Sequence, residues 1–333
     1  MKISLWKIMC TGFLCAAVLL TACKRDQKIV IKVGDTWSPT HPIARSIDEV
    51  FKPQVEQKSK GVITVEVYHS QVLGNEQTLW NGVRNGSIEM VVVGSGMNSE
   101  YRPMLISDWP FLYRDITHAK NVWTGSFFDD FTKDFEKAFP TTRMLSVGPN
   151  SSRTFTSKKQ LIGISDFHGQ KFRMPSNPIH VGIATDLGAT VQVIPLNELY
   201  NALKAGIVDG QDNGMVTVLS ERLNEVQKYL YETNHIMAIM ELIVNARFFD
   251  KLSKEHQKII RDAAKDAAVW AWDEYIKSVD NDRRTLAGNG ITVTQLTDKD
   301  RDDFIAKIQP TLTKLYSENS WAEDLVNKVR NTP

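Results

Sequence analysis

Cysteine is nearly missing from this chain. Of its 333 residues only Cys10, Cys15 and Cys23 are cysteines. Everything after Cys23 is free of thiols, which excludes disulfides, cysteine-ligated zinc and a cysteine nucleophile. Stability has to come from a buried core, and the length permits one large domain or two of ordinary size. An excess of either charge is missing too. Lys and Arg number 40 against 39 Asp and Glu, for a formal net charge of +1. Nothing at that scale draws the chain to nucleic acid or to an anionic bilayer, so selection for an anion has to be local.

Catalytic signatures are absent as well. There is no GxSxG, no GxxxxGK[ST] and no HExxH. The seven histidines (His41, His69, His118, His168, His180, His235 and His256) show no ligand spacing. Gly94-Ser95-Gly96 begins like a dinucleotide fingerprint but lacks the third glycine, and it reads as a strand-end loop. The sequence therefore offers no metal site, no cofactor and no paired acid and base. Pro/Ser-rich linkers, low-complexity tracts and repeats of solenoid period are also missing.

The one long apolar run lies at the start. Lys2 and Lys7 form a basic n-region, and residues 8–20 are apolar but too short to span a bilayer comfortably. The run ends in Leu20-Thr21-Ala22-Cys23, followed by polar Lys24-Arg25-Asp26-Gln27. This resembles a bacterial lipobox. It predicts residues 1–22 as a lipoprotein signal peptide and Cys23 as the lipidated first residue of the mature chain. An ordinary signal peptide with an incidental cysteine is the alternative; Cys23 being the last cysteine favours the anchor. The expected location is periplasmic or extracytoplasmic, at a membrane surface.

What the chain does contain is two β-α-β-α-β series. The first has strands at 28–34, 62–68 and 88–93. The apolar run of the first strand suggests burial on both faces. Pro42 opens the first helix, which runs through Val55, and Asn85-Gly86 stops the second. A helix over 119–139 and strands over 143–147 and 154–156 follow. The second series has strands at 171–174, 191–194 and 207–209, with Gly188 and Gly206 ending its helices. A strongly apolar strand covers 237–245. A helix over 254–286, capped by Ser253, would extend ~45 Å, enough to cross between domains. A strand over 291–293 and a helix starting near Asp298 complete the chain. The fold class is α/β: two lobes, a long helix bracing both, and a hinged cleft between them. Residues 23–150 plus about 239–278 form lobe I, and residues 151–238 plus about 279–333 form lobe II.

The stretch 169–213 holds the sharpest site candidates. In Lys171-Phe172-Arg173-Met174-Pro175, Phe172 and Met174 share one strand face and Arg173 takes the other. Pro175 stops the ladder, so Arg173 lies at the C-terminal end of a parallel strand, where open α/β sheets bind ligands. A guanidinium there can grip a carboxylate with two parallel bonds. Arg153, in Ser151-Ser152-Arg153-Thr154, and Asn213, after Asp209-Gly210-Gln211-Asp212, are further candidates; both residue types are also routine turn formers. Trp37, Tyr68, Trp109, Tyr113 and Tyr200 sit near loops and are candidate cleft walls.

These residues resemble the DctP-type extracytoplasmic solute receptors of TRAP transporters. The resemblance covers essentially the whole mature chain. It is carried by Ser152-Arg153-Thr154, Gly169-Gln170-Lys171-Phe172-Arg173-Met174-Pro175, Leu187-Gly188-Ala189, Pro195-Leu196-Asn197-Glu198-Leu199-Tyr200 and Gly206-Ile207-Val208-Asp209-Gly210-Gln211-Asp212-Asn213, in family order and spacing. Asp108-Trp109-Pro110-Phe111-Leu112 and a helix near Gln227-Lys228-Tyr229 also match. The resemblance implies a type II periplasmic-binding-protein fold that captures a small organic acid. The candidates are a C4-dicarboxylate, another short carboxylate or a sugar acid. It implies that Arg173 pairs with the ligand carboxylate and that Arg153 and Asn213 assist. Glu76, Trp37 and Asp35 are candidates for reading the distal end. It further implies a monomer that closes about its long helix and docks on small and large membrane subunits. Sialic-acid receptors of the family carry an acidic residue where this chain has Gly94 and Asn where it has Ser176, so sialic acid is disfavoured. A receptor presenting its ligand to a membrane kinase, and an extracytoplasmic enzyme on the same scaffold, are the competing classes.

Overall fold

The computed structural model describes residues 28–94, 97 and 100–333. The leader and Cys23 lie outside the described residues.

Two mixed sheets organise the chain. The first contains β1 (Ile29–Gly34), β2 (Ile63–Tyr68), β3 (Met90–Val93), β4 (Thr142–Ser152) and β10 (Met237–Asn245), in the order β2-β1-β3-β10-β4. The second contains β5 (Thr154–Ser157), β6 (Lys171–Met174), β7 (Thr190–Val193), β8 (Gly210–Asn213), β9 (Tyr229–Glu232) and β11 (Thr292–Gln295), in the order β11-β9-β5-β8-β6-β7. Each β-α-β-α-β series forms parallel pairs, β1 with β2 and β3, and β6 with β7 and β8. The antiparallel pairings come from β10 in the first sheet and β5 in the second.

Helices cover both sheets. They are α1 (Pro42–Ser46), α2 (Lys52–Lys58), α3 (Glu76–Asn85), α4 (Ile116–Thr124), α5 (Ser126–Ala138), α6 (Pro178–Asp186), α7 (Leu196–Ala205), α8 (Met215–Ser220), α9 (Ala246–Phe249), α10 (Lys254–Gly288), α11 (Asp298–Lys307), α12 (Gln309–Glu318) and α13 (Ala322–Asn331). The bracing helix α10 has 35 residues, about 50 Å at ~1.5 Å per residue. Ser253 caps it by accepting the N–H of His256 at 3.1 Å. Its buried face is built of small residues, Ala263, Ala264, Ala267, Ala268 and Ala271, which lets β4 and α1 approach closely. Farther along it packs against α8 and β11. No helix among the described residues is long and apolar enough to cross a membrane.

The structure departs from the sequence expectations in five places. The helix over 119–139 is two helices broken at Gly125, whose extended φ −107°, ψ −161° ends α4. The helix opened by Pro42 passes through a π turn, Ile47–Phe51, where Lys52 donates to Ile47 O just before Pro53, which has no N–H to give. The third strand of the second series is Gly210–Asn213, not 207–209. Gln227 and Lys228 precede a strand, β9, rather than lying in a helix. β1 is buried only toward its end, because Val30 is 40% exposed and Lys32 faces solvent.

Chain crossings between the sheets position the site. β4 ends at Ser152 and β5 begins at Thr154, so the change of sheet falls on Arg153. A return crossing joins β9 to β10 through Thr233, Asn234, His235 and Ile236. The two crossings are tied where the Arg153 N–H donates to Ile236 O at 2.7 Å.

Candidate functional site

Arg173 occupies the position its strand pattern predicts. Phe172 and Met174 are buried in the core, and Arg173 lies on the opposite face, 3% exposed. Its Nε donates to the carbonyl of Ile194 at 2.6 Å, which orients the guanidinium. Among the described residues no salt bridge reaches Arg173. Burial pulls its pKa down to about 10, against the opposing field of Asp212. It is therefore a protonated, largely dehydrated cation without a bonded counterion at neutral pH.

Arg153 differs sharply. Its Nε donates to Asp212 Oδ2 at 3.0 Å and its Nη2 to Oδ1 at 2.9 Å, a forked pair on one carboxylate. The same Nη2 also donates to the Asp212 carbonyl. The antiparallel register of β5 and β8 places Thr154 opposite Asn213 and Phe155 opposite Asp212, so Arg153 arrives beside Asp212. His180 on α6 brings Nδ1 to Asp212 Oδ2 at 2.7 Å, and its Nε2 lies 3.3 Å from Asp108 Oδ1. Asn177 Nδ2 donates to Asp108 Oδ2 at 2.8 Å. Burial would raise Asp212, but Arg153 and His180 outweigh it and hold the carboxyl well below its ordinary range. The same two carboxylates raise His180 against its burial. Sequence reasoning missed Asp212 because GQDN reads as a turn.

Asn213, 5% exposed, donates through Nδ2 to Gln211 Oε1 at 2.6 Å, and Gln211 in turn donates to Thr156 Oγ1 at 2.7 Å. With Arg173 and Arg153 it lines a cavity of ≈ 220 Å³ between the two sheets. That is below the ~300–1,000 Å³ of drug-sized sites and suits a small solute. Ser176, Pro195 and Leu196 complete this side.

The opposite wall carries Trp37 and Glu76, as expected, together with Gln71, Asn75 and Gln77, which sequence reasoning passed over. Asn75 was legible as the cap of α3, since its Oδ1 accepts the N–H of Thr78 at 3.0 Å. Glu76 Oε1 accepts the N–H of Gly94 at 3.0 Å. A Cβ at position 94 would sit 3.2 Å from that oxygen and 3.0 Å from Met240 Sδ, so a side chain there would crowd both Glu76 and Met240. Burial, with Asp108, pushes the Glu76 carboxyl up, and Gly94, Arg173 and Arg153 pull against it. Glu241 on β10 is 1% exposed and is raised well above its ordinary range by burial, Asp108 and Glu76. The far wall therefore presents one carboxyl to the cavity, that of Glu76, with Asp108 and Glu241 close enough to act on one another through their charge.

Asp35 does not join the cavity. Its carboxylate is fully buried, with Oδ1 accepting the Trp37 N–H at 3.0 Å and Oδ2 2.6 Å from His69 Nδ1. It fastens two loops together behind the cavity wall. A second cavity of ≈ 530 Å³ lies beside the crossings, lined by Tyr275, Ser152, Glu232 and Arg283. Arg283 is paired with Glu232 at 2.6 Å, and the other arginines of its lining, Arg114 and Arg301, are exposed to solvent, so it offers no buried unneutralised cation comparable to Arg173. Among the described residues no group of His, Cys, Asp and Glu could hold a metal ion.

Comparison with known proteins agrees with this geometry. Residues 33–319 match the model of the bacterial extracellular solute-binding protein family 7, DctP. A TRAP periplasmic solute-binding protein from Haemophilus influenzae, solved with bound L-gulonate, is 29% identical; the match covers 92% of this chain and all of that one, with a TM-score of 0.87. One from Polaromonas sp. JS666, bound to D-erythronate, is 25% identical over 92% of this chain and 99% of its own, with a TM-score of 0.84. The 2,3-diketo-L-gulonate-binding periplasmic protein of Escherichia coli K12 is 29% identical over 65% of this chain and 66% of its own. These relatives are binding proteins and not enzymes. The chain belongs to the DctP family of TRAP-transporter periplasmic solute-binding proteins.

Proposed function

We propose that this receptor captures a sugar acid with a single carboxylate and delivers it to the membrane subunits of a TRAP transporter. The observation that carries the reading is the contrast between the two cleft walls. One holds Arg173, a buried cation with no bonded counterion. The other holds Glu76, Asn75, Gln71 and Gln77, which donate to or accept from hydroxyls, with Glu241 and Asp108 acting on Glu76. A carboxylate at Arg173 would complete a forked pair that strengthens as water leaves the cleft. A second carboxylate would meet the acidic wall, which disfavours C4-dicarboxylates. Asn213 would add a hydrogen bond. Arg153, already committed to Asp212, would supply field and rigidity more than a direct grip. The ligands named for the three relatives described above, L-gulonate, D-erythronate and 2,3-diketo-L-gulonate, are hydroxylated monocarboxylic acids. Gly94 and Ser176, where the family's sialic-acid receptors carry an acidic residue and Asn, keep sialic acid disfavoured.

In this reading residues 23–150 plus about 239–278 form lobe I and the remaining mature residues lobe II. The lobes close over the acid about α10, and lipid on Cys23 tethers a monomer to the membrane surface. Calorimetric titration of the purified protein tests the ligand. L-gulonate should bind at micromolar affinity or tighter, succinate at least ~30-fold more weakly, and Arg173→Ala should bind neither. Succinate binding as tightly as L-gulonate, or Arg173→Ala retaining micromolar affinity, overturns the reading.

A further inference from the structure

Two loops make the far wall of the cavity, and one imidazole joins them. The loop after β1 carries Trp37 and the loop after β2 carries Gln71, both lining the cavity. Gln71 N donates to Asp35 O at 3.0 Å and Ser70 N to Trp37 O at 2.9 Å. His69 completes the tie. Its Nδ1 lies 2.6 Å from Asp35 Oδ2, and its Nε2 lies 3.0 Å from Asp48 Oδ2 in the π turn Ile47–Phe51. Asp35 also holds the Trp37 N–H at 3.0 Å. A single ring therefore links both wall loops to the first helical segment.

The backbone shows why a tie is needed. Ser70 and Gln71 are consecutive non-glycine residues at φ 54° and 63°. Such a pair is strained and persists only where its surroundings over-determine it. The neighbouring charges supply that constraint. Burial would lower the His69 imidazole, but Asp35 and Asp48 hold it up to about 9, so it is a cation between two carboxylates at neutral pH. Glu221 is the other titratable group facing Asp35, and it accepts the Ser38 N–H at 3.2 Å.

We propose that the Asp35–His69–Asp48 bridge is a specificity device: it positions Trp37 and Gln71 against the hydroxylated tail of the ligand and leaves the carboxylate end to Arg173. This rests on the reading of the cleft as a sugar-acid site. Its mark is length dependence. With its carboxylate held at Arg173, a six-carbon acid extends two hydroxylated carbons farther toward that wall than a four-carbon one.

The test is calorimetric titration of the native protein, His69→Gln and Asp48→Asn with L-gulonate and with D-erythronate, from neutral pH to pH 10. His69→Gln should weaken L-gulonate about tenfold or more and D-erythronate less than about threefold. Asp48→Asn, on the exposed side of the bridge, should shift the ratio in the same direction by less. In the native protein the preference for L-gulonate should fall as pH rises through about 9, and in His69→Gln it should be flat. Equal losses for both acids, or a preference unchanged by both variants, overturn the bridge's role while the cleft reading stands. A native protein that binds neither acid overturns both.

Discussion

Arg173 and Arg153 are the same residue type on the same wall, yet they belong to different classes of interaction. Arg153 is one half of a buried pair, with side chains 6% and 1% exposed, so removing either partner strands a charge. Arg153→Ala should cost about 3–5 kcal/mol of folding stability. Arg173 has no carboxylate within pairing distance among the described residues, and the fields of Asp212 and Glu76 offset its burial only in part. Arg173→Met should leave stability unchanged or raise it, while abolishing binding. Chemical denaturation of both variants checks this, and a loss at Arg173 as large as that at Arg153 contradicts it. The sequence showed Arg173 plainly, because alternation with Phe172 and Met174 and the stop at Pro175 define its face. It could not show that Arg153 is already paired. That fact depends on an antiparallel pairing between strands that begin at residues 154 and 210, which no local pattern announces. Asp35 misled for the same reason, since a buried loop aspartate looks alike whether it faces a ligand or a histidine.

At the scale of elements, the legible ones are those whose residues match their burial. The strand Met237–Asn245 and the helix Lys254–Gly288 were plain from apolar runs and from periodicity without Pro or Gly. β8 was misplaced by three residues because its burial is polar: Gly210, Gln211, Asp212 and Asn213 are all buried, with side chains that bond one another and their neighbours. β10 carries its own exception. Glu241 sits mid-strand between Val93 and Val147, with Oε2 buried and without a hydrogen-bond partner among the described residues. Its folded pKa is raised well above 4.5. The folded protein then holds a proton that the unfolded chain releases, so stability is greatest below the unfolded pKa and declines as pH rises toward the folded one. Glu241→Gln removes that slope. It should stabilise the protein by at least about 1 kcal/mol at pH 8, with the gain vanishing below about pH 4. Thermal unfolding across that range is the measurement, and a gain independent of pH removes ionisation as the cause.

The whole molecule is arranged so that recognition and closure share one location. The chain changes sheet at Arg153, the residue that pairs with Asp212 in the site. At the same point Arg153 N is bonded to the return crossing at Ile236, and Ser152 N donates to Tyr275 Oη on α10 at 2.6 Å. In the proposed closure, rotation of one lobe against the other would pivot near these bonds, because the crossings join the sheets and α10 packs on both. A ligand bridging Arg173 to Trp37 and Glu76 would touch both lobes and therefore bind the closed arrangement better than an open one, which is what allows it to shift the population. L-gulonate at 100 times its dissociation constant should then stabilise the protein by about 2.7 kcal/mol and reduce its radius of gyration in small-angle scattering. Arg173→Ala should show neither change at the same concentration. Stabilisation without contraction in the native protein would mean that the acid binds a cleft already closed, and it would move the source of affinity from lobe motion to the preformed pairing geometry of β6 and β8.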